Sequence, residues 1–223
     1  MSTQLACFTA EGIIRAQVRG HHKGICHAPG VLLHAYCRWA FLQGIEPERM
    51  ARRWGFPGNS AWPDGWLAGV PALARRRGSA PATVAALSRI EWGEEPMATP
   101  SRGCHALTRT LPVAATGPGG IAQAAALAAL THGDEAARTA TVHAATLTHH
   151  CLTHAGPATQ ALREGVTATD RPELDAALRQ AAAAPESSIT YLRTRRERLD
   201  HHLPHLDRHV PHRDPAMAAA RPS

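Results

Sequence analysis

A chain of 223 residues that is 44% hydrophobic can bury one core, and with only 4% aromatic residues it favours Ala-rich, close-packed helices over a β-sandwich. The formal charge of +6 rests almost wholly on arginine, since Lys23 is the only lysine. The densest basic run, RTRRERL from Arg193, has no aromatic residue on which a base could stack, so it reads as a solvated face and not as a nucleic-acid site.

No apolar run reaches the roughly 18 residues of a membrane span, and no basic-then-apolar leader opens the chain, so the expectation is a cytoplasmic protein without a membrane partner. Five scattered cysteines without a CxxC pair read as reduced thiols. STQLACFTAEGIIRAQVR (2–19) reads as a first helix, with Leu5, Phe8, Gly12 and Ile13 on one face and a break at Gly20 to Gly24. PGVLLHAYCRWAFLQG (29–44) is the second, with Pro29 at its start, a Leu32–Leu33–Tyr36–Trp39–Ala40 stripe, and Gly44 closing it. Residues 59–78 read as a loop and then a short helix. SAPATVAALSRI (79–90) reads as a helix with Ser79 as cap and Pro81 in its first turn. Two strong helices follow, over 119–133 and 134–156, the second capped by Asp134 and favoured at its positive end by Glu135. Residues 169–184 predict one more. The fold class is therefore all-α: a single helical domain over 1–192. From Arg193 to Ser223, a tail rich in His, Arg and Pro has too few apolar residues to pack and is expected to be disordered.

Chemistry is sparse. His150 and His154 are four residues apart with Cys151 between them, a spacing that suits zinc, but the sequence nominates no third ligand, and a polar helix face is the plainer reading. No Walker, GxSxG, HExxH or GxGxxG element stands in a suitable context. The most informative stretch is SRGCHALTRTLPVAA (101–115). There Gly103 gives backbone freedom before a helix start whose free N–H groups suit a phosphate or ribose, and Arg109 either binds ligand or ties down a neighbouring loop.

Five stretches, in this order, resemble the ADP-ribosylglycohydrolase family, which includes the dinitrogenase reductase-activating glycohydrolase. TQLACFTAEG (3–12) is similar to the second half of its S/T-D-D-T-Q-x-x-x-x-T-A-E-G phrase. KGICHAPGVLLHAYCRWAFLQG (23–44) and WPDGWLAGVPALARRRGSAPATVAAL (62–87) look like bacterial members. GCHALTRTLP (103–112) resembles a G-C/N-G-x-x-M-R-x-x-P motif, and LTHGDEAA (130–137) a T-H-G stretch. The likeness spans residues 3–155 and weakens towards 192.

The resemblance implies an all-α domain, hydrolysis of the bond joining ADP-ribose to a protein side chain, and a binuclear Mg²⁺ or Mn²⁺ site held by oxygen ligands. It places Ser101, Gly103, Cys104, His105 and His132 on the substrate groove, with ADP-ribose or an ADP-ribosylated protein as partner. Ser2 falls at an aspartate of the first metal phrase, His105 at a glycine and Thr108 at a methionine. A late D-x-D-S/T phrase has no counterpart in DHHLPHLDRH. On this reading the chain is truncated at both ends, keeps neither metal cluster and is impaired in hydrolysis. The alternatives are an inactive module that binds ADP-ribose or nucleotide, and a gene fragment whose tail is read out of frame. With covering elements missing, the apolar stripe of residues 5–13 is expected to be exposed and to drive self-association.

Overall fold

The computed structural model describes residues 2–55, 62–76, 78–89 and 99–167. The chain divides into two compact units, Met1–Thr169 and Asp170–Ser223, and everything described here lies in the first. The helix expected over 169–184 and the tail from Arg193 fall outside the described residues.

Among the described residues there is no strand, only helices: α1 (Ser2–Lys23), α2 (Ala28–Leu42), α3 (Pro47–Trp54), α4 (Pro71–Ala74), α5 (Pro81–Ser88), α6 (His105–Thr110), a 3₁₀ helix (Leu111–Thr116), α7 (Pro118–Ala129), α8 (Glu135–Thr153) and α9 (Ala158–Thr167). The fold is all-α, as expected. No helix among them is long and apolar enough to cross a membrane.

Helix α2 is the central element, because its sequence is apolar on nearly every side: Leu32, Leu33, Ala35, Tyr36, Cys37, Trp39 and Ala40 are all buried. Helix α1 packs along it through Leu5, Phe8 and Gly12, which are buried too. Gly12 is what lets the two backbones close, since a Cβ there would stand 3.0 Å from Leu32 Cγ and 3.4 Å from Ala35 Cβ. The stripe expected to be exposed is thus the face that α1 turns to the core. Among the described residues the exposed large apolar side chains are instead Ile14, Val18, Ile25, Trp66, Val70 and Leu152.

The one charge inside α2, Arg38, is neutralised where it lies. Its Nη2 is 3.1 Å from Glu11 Oε2 and its Nη1 3.3 Å from Asp64 Oδ1, and Arg15 contacts the same two carboxylates. Burial pushes the Asp64 carboxyl up, but the hydrogen bond from Arg15 and the charges of Arg38 and Arg15 outweigh it, and the net shift is downward.

Helix ends depart from the expectation in two places. Helix α1 does not break at Gly20. It runs on to Lys23 and stops before Gly24, whose φ of +72° ends the right-handed path. Helix α5 is not capped by Ser79: its N-cap is Ala80, without a side-chain hydrogen bond, so Pro81 alone marks the start. Asp134 does cap α8, accepting from the amides of Ala136 at 2.9 Å and Ala137 at 3.4 Å.

Candidate functional site

The groove residues anticipated in the sequence come from two places: the segment 99–105 that leads into α6, and the turn joining α7 to α8. Backbone pairing staples the two together. Thr99 N–H donates to Thr131 O (3.2 Å) and Gly133 N–H to Thr99 O (2.7 Å), and the Thr99 hydroxyl adds a bond to Thr131 O at 2.9 Å. On the outer side, Arg102 Nε lies 2.9 Å from Asp134 Oδ2. The hydrogen bond between them lowers the Asp134 carboxyl and raises Arg102, but the Arg102 side chain is exposed and the pair is worth little.

Under this staple lies Arg109, fully buried. Its Nη2 donates to Leu127 O at 2.9 Å and Ala128 O at 3.3 Å, and its Nη1 to Thr131 Oγ1. Its guanidinium sits 4.9 Å from the ring centre of Tyr36, whose hydroxyl in turn bonds Thr9 Oγ1 at 2.8 Å. Of the two roles open to Arg109 in the sequence, the structure shows the second: it caps the carboxyl end of α7 and holds the turn that carries His132.

Thr131 passes the constraint on. Its oxygen accepts from Arg109 and lies 2.8 Å from His132 Nδ1. With the Thr131 oxygen already accepting from Arg109, we assign its hydroxyl as the donor to Nδ1, an assignment that puts the ring hydrogen on Nε2. Burial, the Arg109 charge and the nearby His105 lower His132 to about 4, which keeps the ring neutral near pH 7. His132 is fully buried, and its Nε2 has no hydrogen-bond partner among the described residues.

An unpartnered buried donor is costly unless something else completes it. Its neighbour is Gly103: a Cβ there would lie 3.5 Å from His132 Nε2 and 3.2 Å from Ser101 Oγ. Ser101 Oγ accepts from Gly103 N–H at 3.1 Å, shaping the loop, and Cys104 is exposed at the start of α6. Ser2 Oγ reaches His105 Nδ1 at 2.8 Å. The structure therefore brings Ser101, Gly103, Cys104, His105 and His132 to one place and adds Ser2. Thr108 bonds back to Cys104 O at 3.2 Å, a local helix contact.

The donors here do not suit a pair of hard divalent cations, which need several oxygen ligands, chiefly carboxylates. Ser2 offers a hydroxyl already engaged with His105, Ser101 one that accepts from Gly103 N–H, and the remaining side chains are a thiol and two imidazoles, with no carboxylate. Asp134 is committed to Arg102 and the α8 cap, and Glu11 and Asp64 to arginines. Among the described residues no group of three or more His, Cys, Asp or Glu side chains is arranged to hold a metal ion. His150 and His154, weighed for zinc from their spacing, both face Glu164 of α9, with His154 Nε2 at 3.0 Å and His150 Nε2 at 3.9 Å. A half-open cavity of about 310 Å³ elsewhere, lined by Ile13, Ala16, Leu32, Val113 and Leu127, includes none of the groove residues.

The family model described as ADP-ribosylglycohydrolase matches residues 1–220, a range that runs beyond Arg193. A 21-residue stretch, 9% of the chain, is 90% identical to part of GTP cyclohydrolase-2 of Streptomyces coelicolor. The chain spans about a tenth of the length of that curated relative, too little to carry a domain-level likeness. No solved structure matches.

Proposed function

The chain belongs to the ADP-ribosylglycohydrolase family, and we propose from that premise that the groove around Gly103 and His132 binds an ADP-ribosyl group, with hydrolysis of its glycosidic bond impaired. One observation carries the reading: a buried imidazole whose Nε2 has no partner among the described residues stands beside a residue that has no side chain to cover it. A ribose hydroxyl or phosphate oxygen is the partner such a donor completes. The 99–103 loop, held by its pairing to 131–133, sets the opening without contributing bulk at Gly103.

Impaired turnover follows from the donor set, which is rich in nitrogen and poor in carboxylate where the family reaction calls for cations that activate water. Gly103→Ala tests the binding reading in a controlled way. The new Cβ would sit over the His132 donor, while the Ser101 hydroxyl 3.2 Å away need give only a few tenths of an ångström. Isothermal titration with ADP-ribose should show binding to the wild type and a loss of at least about tenfold in the variant, with its melting temperature kept. Equal affinity in the two proteins would refute the placement of the ligand.

A further inference from the structure

Two residues that depart from the family phrases, Ser2 and His105, are 103 positions apart in sequence and touch in space, with Ser2 Oγ 2.8 Å from His105 Nδ1. A hydrogen bond to one ring nitrogen fixes the plane of an imidazole and commits the other nitrogen to face elsewhere. Among the described residues His105 Nε2 makes no hydrogen bond, and the ring is close enough for its charge to act on His132. The groove therefore presents two imidazoles and two serine hydroxyls around Gly103, where a pair of hard cations would require carboxylates.

We propose that His105, positioned by Ser2, is a ligand-contacting residue of this groove and that the groove takes its ADP-ribosyl ligand without Mg²⁺ or Mn²⁺. The proposal rests on the functional reading above and adds to it the agent that does the binding. The donors are directional side-chain N–H groups, which can be supplied at His105 and His132 together, in place of an oxygen-lined cation site. Ser2 acts through His105. Its hydroxyl spends its bond on the ring and restricts it to one orientation, which reduces the ordering cost of binding.

The test uses the full chain, so that residues 170–223 contribute whatever ligands they carry. Mn²⁺ titrated into the protein is followed by the electron paramagnetic resonance signal of the free ion, and ADP-ribose is titrated calorimetrically in EDTA and in 5 mM MgCl₂ (about ten times a typical free cellular level). The expected results are an undiminished Mn²⁺ signal at micromolar concentrations and dissociation constants that agree within about twofold in the two buffers. Ser2→Ala should weaken ADP-ribose binding about fivefold at unchanged melting temperature, one hydrogen bond's worth of orientation, and Ser2→Thr, which keeps the hydroxyl, should restore it. Uptake of Mn²⁺ at micromolar concentration, or ADP-ribose binding that appears only with Mg²⁺, overturns the proposal while leaving the groove as an ADP-ribosyl site. Equal behaviour of Ser2→Ala and Ser2→Thr overturns the positioning role. Absence of ADP-ribose binding in both buffers removes the functional reading and this proposal together.

Discussion

Arg109→Met measures how far the groove depends on a single buried cation. The methionine keeps most of the aliphatic volume but removes every donor. Leu127 O loses the partner that the guanidinium supplied, whereas Ala128 O keeps the amides of Thr131 and His132 at 3.2 and 2.9 Å. One buried carbonyl left without a partner costs about 1–3 kcal/mol. Loss of the guanidinium from the face of Tyr36, 4.9 Å away, adds about 0.5–2 kcal/mol. Relief from burying a cation without a carboxylate offsets part of this, so the net expectation is about 2–4 kcal/mol of destabilisation. For a domain of this size that is a fall in Tm of roughly 4–16 °C. Urea unfolding followed by far-UV circular dichroism at pH 7 gives the free energy directly. The variant should also release Thr131, so the His132 tautomer populations should become mixed in ¹⁵N spectra of the histidine rings. A loss below about 0.5 kcal/mol with His132 unchanged would refute the view that Arg109 organises this turn.

The remaining predictions concern packing, caps and pH. Gly12→Ala places a Cβ 3.0 Å from Leu32 Cγ and should cost about 1–3 kcal/mol by forcing α1 from α2, read as a lower urea midpoint at constant slope. Asp134→Ala removes the α8 cap and should cost about 1 kcal/mol, while Asp134→Asn keeps a capping oxygen, loses only the exposed Arg102 pair and should be nearly neutral in the same assay. His132 and His34 are both lowered to about 4 from 6.5, so the unfolded chain binds more protons between these values. Stability should therefore be full above pH 6.5 and fall as the pH drops towards 4, and His132→Gln should flatten part of that slope in urea titrations across the window.

The helical class was readable because Ala-rich apolar periodicity and the strong α8 cap are local signals: Asp134 and the amides it accepts from lie within three residues. Helix α3 carries little sequence signal, because PERMARRW buries only Met50 among its charged residues. Gly20 looked like a stop, yet a glycine within a helix costs only about 1 kcal/mol, and packing carried α1 to Lys23. The stripe of Leu5, Phe8 and Gly12 is legible as apolar but its cover is not, since the sequence of α1 does not say that α2 returns along it. At the groove, the phrases located Gly103, His105 and His132, whereas the role of Arg109 was undecidable because its acceptors lie at residues 127, 128 and 131. The pairing of Ser2 with His105 spans 103 positions and has no sequence signal beyond the two unusual residues themselves.

On the proposed reading, the Nε2–H of His132 is the donor that meets the ligand. Histidine-labelled protein titrated with ADP-ribose and observed through its ring ¹⁵N–¹H correlations tests that donor itself. His132 should stay in the Nε2–H form, and this resonance should shift, in proportion to saturation, as the proton gains an acceptor. ADP-ribose binding that leaves the His132 signal unmoved would contradict that reading.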